Sequence, residues 1–105
     1  MWELDDPEVK EKIAYFARRP DLVVWSRSAE RDIANTPGVT HTGVLDGILD
    51  HLECGYRVDA GHMKNGDLAF ILHCFVGPGC LYVKVKFIFL GSEERMRVFA
   101  AHENR

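Results

Sequence analysis

The chain of 105 residues has neither an excess of basic side chains nor a long apolar run. Thirteen Lys and Arg residues are outnumbered by sixteen Asp and Glu residues, which excludes a positive field over the whole molecule. A nucleic-acid role would therefore need a local basic patch. The most apolar stretch, around Phe87 to Leu90, follows Lys84 and Lys86 and is too short to span a bilayer. The first residues lack the pattern of a signal peptide, so we expect a cytoplasmic protein with no membrane contact.

Cysteine is also scarce, and its three positions, Cys54, Cys74 and Cys80, include no CxxC spacing. Three thiols cannot all pair within one chain, so we expect reduced and mostly buried cysteines. The five histidines are scattered, and only the i, i+3 spacing of His51 and Cys54 on a predicted helix would allow joint metal ligation. Two ligands are too few for a zinc site. We predict no metal and no other cofactor.

The composition is that of an average globular domain, with 47% apolar residues, and no repeat or linker is visible. We therefore treat residues 1–105 as one domain. Asp6 and Pro7 make a helix start, and Ser28 begins a shorter helix. Leu22 to Trp25 is a short extended run between them. A third helix carries an apolar stripe at helical spacing. The predicted helices are about 7–19, 28–35 and 42–54.

After Gly55 the apolar period changes from helical to the alternation of strands. Asn65-Gly66 predicts a two-residue type I′ hairpin, and Gly77-Pro78-Gly79 predicts the next reversal. The predicted strands are about 56–64, 67–76, 80–90 and 95–102. Because no connection has room for a helical crossover, we expect a four-stranded antiparallel meander. The expected fold class is α+β, with the N-terminal helices packed on one face of this sheet.

The alternation separates the two faces of the predicted sheet. Even positions from Leu68 to Val76 and odd positions from Leu81 to Phe89 are apolar and form the expected core side. A four-residue loop at 77–80 places residue 76 opposite 81, and hence His73 opposite Lys84. The opposite face should then collect His62 beside Ala69, His73, Phe75, Tyr82, Lys84, Lys86, Arg97 and Phe99, with no acidic residue facing these strands. His102 falls on the core side unless the last strand bulges.

This basic and aromatic face has two interpretations. Antiparallel sheets commonly leave one face in water, where Lys and Arg are ordinary solvated surface. Aromatic rings beside cations also suit base stacking and phosphate contact, and a histidine among them can serve as a base. The second interpretation predicts an RNA-binding face.

The pattern resembles the RelE superfamily of small toxins from toxin–antitoxin systems, and within it the MqsR-type mRNA interferases and small uncharacterised relatives. The resemblance extends over most of the chain from about Glu8, in motifs that are individually short. Its matching stretches are Val24-Trp25-Ser26-Arg27-Ser28-Ala29, Leu81-Tyr82-Val83-Lys84-Val85 and Arg97-Val98-Phe99-Ala100-Ala101-His102. The family pairs N-terminal helices with a curved antiparallel sheet.

The resemblance implies an endoribonuclease that cleaves mRNA without a metal and uses the RNA 2′-hydroxyl as nucleophile. Such chemistry needs a base for the 2′ proton, cations for the phosphate and an acid for the leaving oxygen. By position, Tyr82 and Lys84 match the family's strand tyrosine and lysine, and His102 lies near its terminal basic residue. The resemblance thus implies catalytic roles for His73, Tyr82, Lys84 and His102, and RNA binding by Phe75, Lys86, Arg97 and Phe99.

Two further hypotheses remain open. A non-catalytic member of the same fold would use the basic face to bind an acidic segment of an antitoxin or another protein, with Trp2 and Trp25 as additional contacts. A small-ligand or metal module would require further ligands to converge on His51 and Cys54. RNA and a cognate antitoxin protein are the expected partners.

Overall fold

Each helix begins where the sequence supplies a capping oxygen. The side chains of Asp6, Ser26 and Thr40 accept hydrogen bonds from backbone N–H groups of the first turn. The computed structural model describes residues 6–76 and 79–103. Within this part of the chain the helices are α1 (Pro7–Ala17), α2 (Arg27–Asn35) and α3 (His41–Glu53), and a 3-10 turn covers Pro20–Leu22. The three predicted helices are therefore present, with slightly different ends. The prediction that Ser28 begins the second helix is wrong, because Ser26 is the residue that caps α2.

The strands form one mixed sheet in the order β1-β5-β4-β3-β2. They are β1 (Val23–Trp25), β2 (Asp59–His62), β3 (Leu68–Val76), β4 (Gly79–Leu90) and β5 (Glu93–Glu103). The α+β class is confirmed, but the four-stranded antiparallel meander is wrong. β1 adds a fifth strand, parallel to β5, because the long chain between them supplies the crossover that parallel pairing requires.

All three helices cover the same face of the sheet. Ile13 of α1, Ile33 of α2 and Ile48 of α3 belong to one core cluster with alternate residues of the strands. The sheet side of that cluster includes Leu72, Cys74, Leu81, Val83, Val85, Met96 and Val98. The predicted core rows are buried, or half-buried at Leu68 and Phe87, except at the end of β4, where Phe89 is 68% exposed because the row runs past the cover of the helices.

A close backbone approach joins α3 to β3. A Cβ atom on Gly47 would lie 2.5 Å from Val76 Cγ2 and 3.3 Å from the carbonyl oxygen of Phe75. The helix can therefore pack this near to the strand only with glycine at position 47. No helix within residues 6–76 and 79–103 has the length and apolar content needed to cross a membrane.

The pairing of β3 with β4 differs from the predicted register by two residues. Val76 pairs with Gly79, so the four-residue loop at 77–80 is wrong, and residues 77 and 78 lie outside the described residues, as does Trp2. His73 consequently lies opposite Tyr82 rather than Lys84. Because a shift of two preserves the alternation, the predicted assignment of side chains to the two faces of β3 and β4 is unchanged.

The β2–β3 hairpin has a five-residue loop, residues 63–67, instead of the predicted two-residue turn. Asn65 closes it, since its side chain accepts a hydrogen bond from Asp67 N at 3.0 Å, and Gly66 has a φ of 89°. The longer loop places His62 opposite Leu68 rather than Ala69. The alternation of β2 is therefore shifted by one residue relative to β3. The strand predicted at 56–64 is also shorter, because backbone hydrogen bonds hold residues 54–56 to the end of α3.

Candidate functional site

A bulge in β5 decides which side chains meet on the open face of the sheet. Val98 pairs with Val85, but Ala100 pairs with Lys84, so Phe99 is an extra residue on β5. The extra residue reverses the alternation that follows it. His102 therefore lies opposite Tyr82 and not on the core side, where a regular register would have placed it.

Three aromatic rings from neighbouring strands consequently form one row across the sheet, which we call the His-Tyr-His row: His73, Tyr82 and His102. The ring centroids of Tyr82 and His102 are 5.1 Å apart, with an interplanar angle of 13°. Those of His73 and Tyr82 are 5.7 Å apart, with an angle of 70°. The row brings together three of the four residues for which the resemblance implies catalytic roles.

The fourth, Lys84, lines an open hollow of about 690 Å³ beside this row, here called the basic hollow. The β2–β3 loop forms one wall of the hollow, and Ser28 at the start of α2 belongs to its lining. The residues predicted for the open face that line it are His62, Tyr82, Lys84, Lys86, Arg97 and Phe99. Phe75 is apart from them, 68% exposed and beside Tyr56 at 6.5 Å between ring centroids.

The end of β2 and the loop that follows it contact two cations of the basic hollow. Lys84 Nζ donates to the carbonyl oxygen of His62 at 3.2 Å, and Lys86 Nζ donates to Asp67 Oδ2. The ammonium of Lys86 lowers the pKa of the Asp67 carboxyl below its ordinary value of 3.8. The expectation that no acidic residue faces these strands is therefore wrong, because the loop carries Asp67 across the sheet.

Arg97 is the third cation of the hollow, and it does not share this pairing with the loop. Its guanidinium carbon lies 5.0 Å from the centroid of the Phe99 ring. Its Nε is buried and has no hydrogen-bond partner among the described residues. Together, Arg97 and Phe99 present a cation beside an aromatic face, the combination that suits a stacked base and its phosphate.

The hydrogen bond of His102 settles which of its ring nitrogens can act as a base. Nδ1 lies 3.0 Å from the carbonyl oxygen of Glu103, which can only accept. In the neutral imidazole Nδ1 must carry the hydrogen, so the lone pair is on Nε2. His73 differs, since its Nδ1 is buried without a partner in the part of the chain that the structure describes. The arrangement favours His102 over His73 as a proton acceptor.

His51, considered at first with Cys54 as a possible metal-binding pair, is a buried structural residue. Its Nδ1 lies 3.1 Å from the carbonyl oxygen of His73, and its Nε2 lies 2.7 Å from that of Arg57. Both ring nitrogens are thus directed at backbone acceptors, whereas Cys54 is exposed. No group of three His, Cys, Asp or Glu residues among those described is arranged to hold a metal ion.

Sequence reasoning missed the acidic loop residue Asp67, and it named a bulge in the last strand only as an alternative, without placing it at Phe99. The sequence does hold a signal for the bulge, because the apolar residues Val98 and Ala101, which the structure buries, are three positions apart and so break the alternation of a strand. No protein-family model, no curated protein and no solved structure matches the chain.

Proposed function

We propose that the protein is an endoribonuclease that cleaves mRNA without a metal, with the 2′-hydroxyl as the attacking nucleophile, as in the RelE-like toxins that its sequence resembles. The observation that carries the proposal is the position of His102 beside a hollow lined by Lys84, Lys86 and Arg97. Successive open-face positions on β4 are about 7 Å apart. A nucleotide whose phosphate lies on these cations would therefore have its ribose near the His-Tyr-His row.

The residues of the site have separate roles in the proposed reaction. Nε2 of His102 takes the proton from the 2′-hydroxyl, and the 2′ oxygen attacks phosphorus. Lys84, Lys86 and Arg97 stabilise the negative charge that develops on the phosphate oxygens. The bond from phosphorus to the 5′ oxygen breaks, and Tyr82 gives that oxygen its proton. The products are a 2′,3′-cyclic phosphate and a free 5′-hydroxyl, and proton exchange with solvent restores both side chains.

The two phenylalanines assigned to RNA binding contribute differently. Phe99 lines the basic hollow beside Arg97, where it can stack a base next to the scissile phosphate. Phe75 lies four residues from Ile71, the β3 partner of Lys84, which is roughly 13 Å of strand, so it would meet a base beyond the one next to the scissile phosphate. The site therefore suits an extended single strand.

The decisive experiment incubates the purified protein with a long single-stranded RNA in the presence of a chelator. We expect cleavage that yields 2′,3′-cyclic phosphate ends and that a 2′-O-methyl RNA resists. His102→Ala and Lys84→Ala should each lower the rate by about 10²-fold or more. Arg18→Ala, which removes an exposed cation from the end of α1, is the matched control and should cleave like the wild type. Equal RNA decay in wild type and both site variants would refute the proposal.

A second candidate function is a non-catalytic module that binds an acidic segment of an antitoxin or other protein partner. The contact of Asp67 with Lys86 favours it, since this contact shows a carboxylate held by a cation of the basic hollow. Expression in cells separates the two candidates. A ribonuclease toxin should halt growth when expressed alone, and Lys84→Ala should relieve the arrest, whereas a binding module should be tolerated in both forms.

A further inference from the structure

We propose that Ser26 and Asp32 are positioning residues, which present His102 to the site by holding the bulge of β5 in place. This inference rests on the proposed function, because it assigns the two side chains to the presentation of the base. Neither residue lies in the His-Tyr-His row, and neither lines the basic hollow. Their action on the site would pass through the backbone of β5.

The bulge alone determines whether His102 reaches the open face. Lys86 pairs with Arg97 before the bulge, and an uninterrupted ladder would continue with Ala101 opposite Tyr82 and His102 opposite Leu81. Leu81 is 1% exposed, so this alternative would carry an imidazole into the apolar layer beneath the helices. With the bulge, fully buried Ala101 occupies the core position instead.

Beyond the bulge, no strand among the described residues pairs with the outer edge of β5. β1 ends with Trp25 opposite Val98, and the chain then turns into α2. The polar backbone groups that follow on β5 need other partners. Ser26 and Asp32, both close to the point where β1 gives way to α2, supply them.

Three hydrogen bonds from this short segment bracket the extra residue Phe99. Ser26 N donates to the carbonyl oxygen of Val98 at 3.0 Å, and Ser26 Oγ donates to that of Phe99 at 3.3 Å. Ala101 N donates to Asp32 Oδ2 at 3.0 Å. A carboxylate that accepts from a backbone N–H forms a charge-assisted bond, stronger than one between neutral groups. These hydrogen bonds thus fix the backbone of β5 before, at and after the bulge.

The same atoms connect the bulge to a rigid element. Ser26 Oγ also accepts from Ala29 N at 3.1 Å and so caps α2. Ile33, one residue after Asp32, is buried in the core cluster. The packed helix therefore restrains the position of Asp32. A shift of Asp32 relative to β5 would require the packing of α2 to change.

Nuclear magnetic resonance of the 105-residue chain tests this role without reference to RNA. Stacking on the Tyr82 ring should shift the ring protons of His102 upfield, and the bond to Asp32 should protect the Ala101 amide from hydrogen exchange. Asp32→Ala removes the acceptor, so we expect both signatures to be lost and RNA cleavage to fall about 100-fold. Asp32→Asn keeps an oxygen acceptor and should retain both. Asp46→Ala, at an exposed aspartate of α3, is the matched control and should behave like the wild type.

An unchanged His102 shift in folded Asp32→Ala protein would overturn the inference. If Asp32→Ala fails to fold, the same two signals are measured in the wild type alone. An unprotected Ala101 amide, or His102 ring protons without the upfield shift, would then overturn the inference. A wild type that shows both signatures, together with their loss in Asp32→Ala, supports the inference even if RNA is not cleaved. That result would refute the proposed function alone.

Discussion

The imidazole of His102 lies nearly parallel to the phenol ring of Tyr82, with 5.1 Å between the ring centroids. Residues from two strands meet here because one extra residue in β5 turns His102 away from the core. His73 contacts the same phenol from the other neighbouring strand, but in an edge-on geometry. The two histidines are therefore not equivalent, and this difference can be measured.

Replacement of each histidine by phenylalanine should separate stacking from proton transfer. His102→Phe retains an aromatic ring beside Tyr82 but no base, so we expect the rate of RNA cleavage to fall by about 10²–10⁴-fold. His73→Phe should cause a much smaller loss, since the Nδ1 of His73 is already buried. Initial rates on a long RNA compare the two variants. If the cleavage rate falls more in His73→Phe than in His102→Phe, His73 is the base instead.

The ion pair of Asp67 with Lys86 should appear in the titration of Asp67. Lys86 lowers the pKa of this carboxyl, so the interaction is present above the ordinary value of 3.8 and is lost as the pH falls through the lowered value. In Lys86→Met the pKa of Asp67 should rise toward 3.8. The carboxyl carbon shift of Asp67, followed by NMR as a function of pH, measures it. If the pKa of Asp67 is the same in Lys86→Met and in the wild type, Lys86 is not the cause of the lowered pKa.

Removal of the Asp67 charge should release Lys86 to bind phosphate. We expect Asp67→Asn to bind single-stranded RNA a few-fold more tightly at a fixed salt concentration, because RNA no longer competes with a carboxylate. Fluorescence anisotropy with a labelled oligonucleotide provides the affinity. Asp59→Asn removes the carboxylate that pairs with Arg57 outside the hollow and serves as the control. Equal affinities of Asp67→Asn and the wild type would contradict the prediction.

Burial should protect Cys74 from alkylation. Desolvation, with a smaller contribution from Cys80, raises the pKa of this thiol from 9.0 to about 12. The native protein should therefore react with iodoacetamide at exposed Cys54 and spare Cys74, which mass spectrometry of the labelled chain can test. Because only the unfolded chain ionises readily between pH 9 and about 12, the contribution of Cys74 to stability should decline across that window. Equal labelling of the two cysteines in the native protein would contradict the expected burial.

Gly47→Ala should destabilise the fold even though alanine is the better helix former. The added methyl would lie 2.5 Å from Val76 Cγ2, so α3 must move away from β3. We expect a net loss of about 1–3 kcal/mol in the free energy of unfolding, measured with urea. Asp46→Ala, at the preceding and exposed position, should change stability by less than about 0.5 kcal/mol. A stabilised Gly47→Ala protein would mean that α3 lies farther from the sheet.

Local patterns predicted the helices because their signals are contained within a few residues. Asp6 was predicted to cap α1 and does so, and apolar side chains recur at helical spacing in α1 and α3. The cap of α2 was placed at Ser28, two residues after the actual cap Ser26. The assignment of Leu72 and Val83 to the core also follows from alternation alone. This assignment survived a register shift of two residues, because faces repeat with that period.

These local patterns could not predict how distant segments of the chain pair. The parallel contact of β1 with β5 depends on the packing of α2 and α3 between them in sequence, which no short motif specifies. In the β2–β3 loop, the side chain of Asn65 bonds to Asp67 N and the loop is longer than the predicted turn, so His62 pairs with Leu68 instead of Ala69. Asp67, in the same loop, contacts Lys86.

By itself, the sequence determined three helices, an alternating set of strands and a cluster of cations and aromatic rings on one side of them. Only the tertiary structure decided that β5 bulges at Phe99 and that His102 joins Tyr82 as a result. The physical reason is that alternation specifies a face only while the ladder is regular. Where the ladder breaks, burial of Ala101 and the hydrogen bonds of α2 determine which side chain faces out.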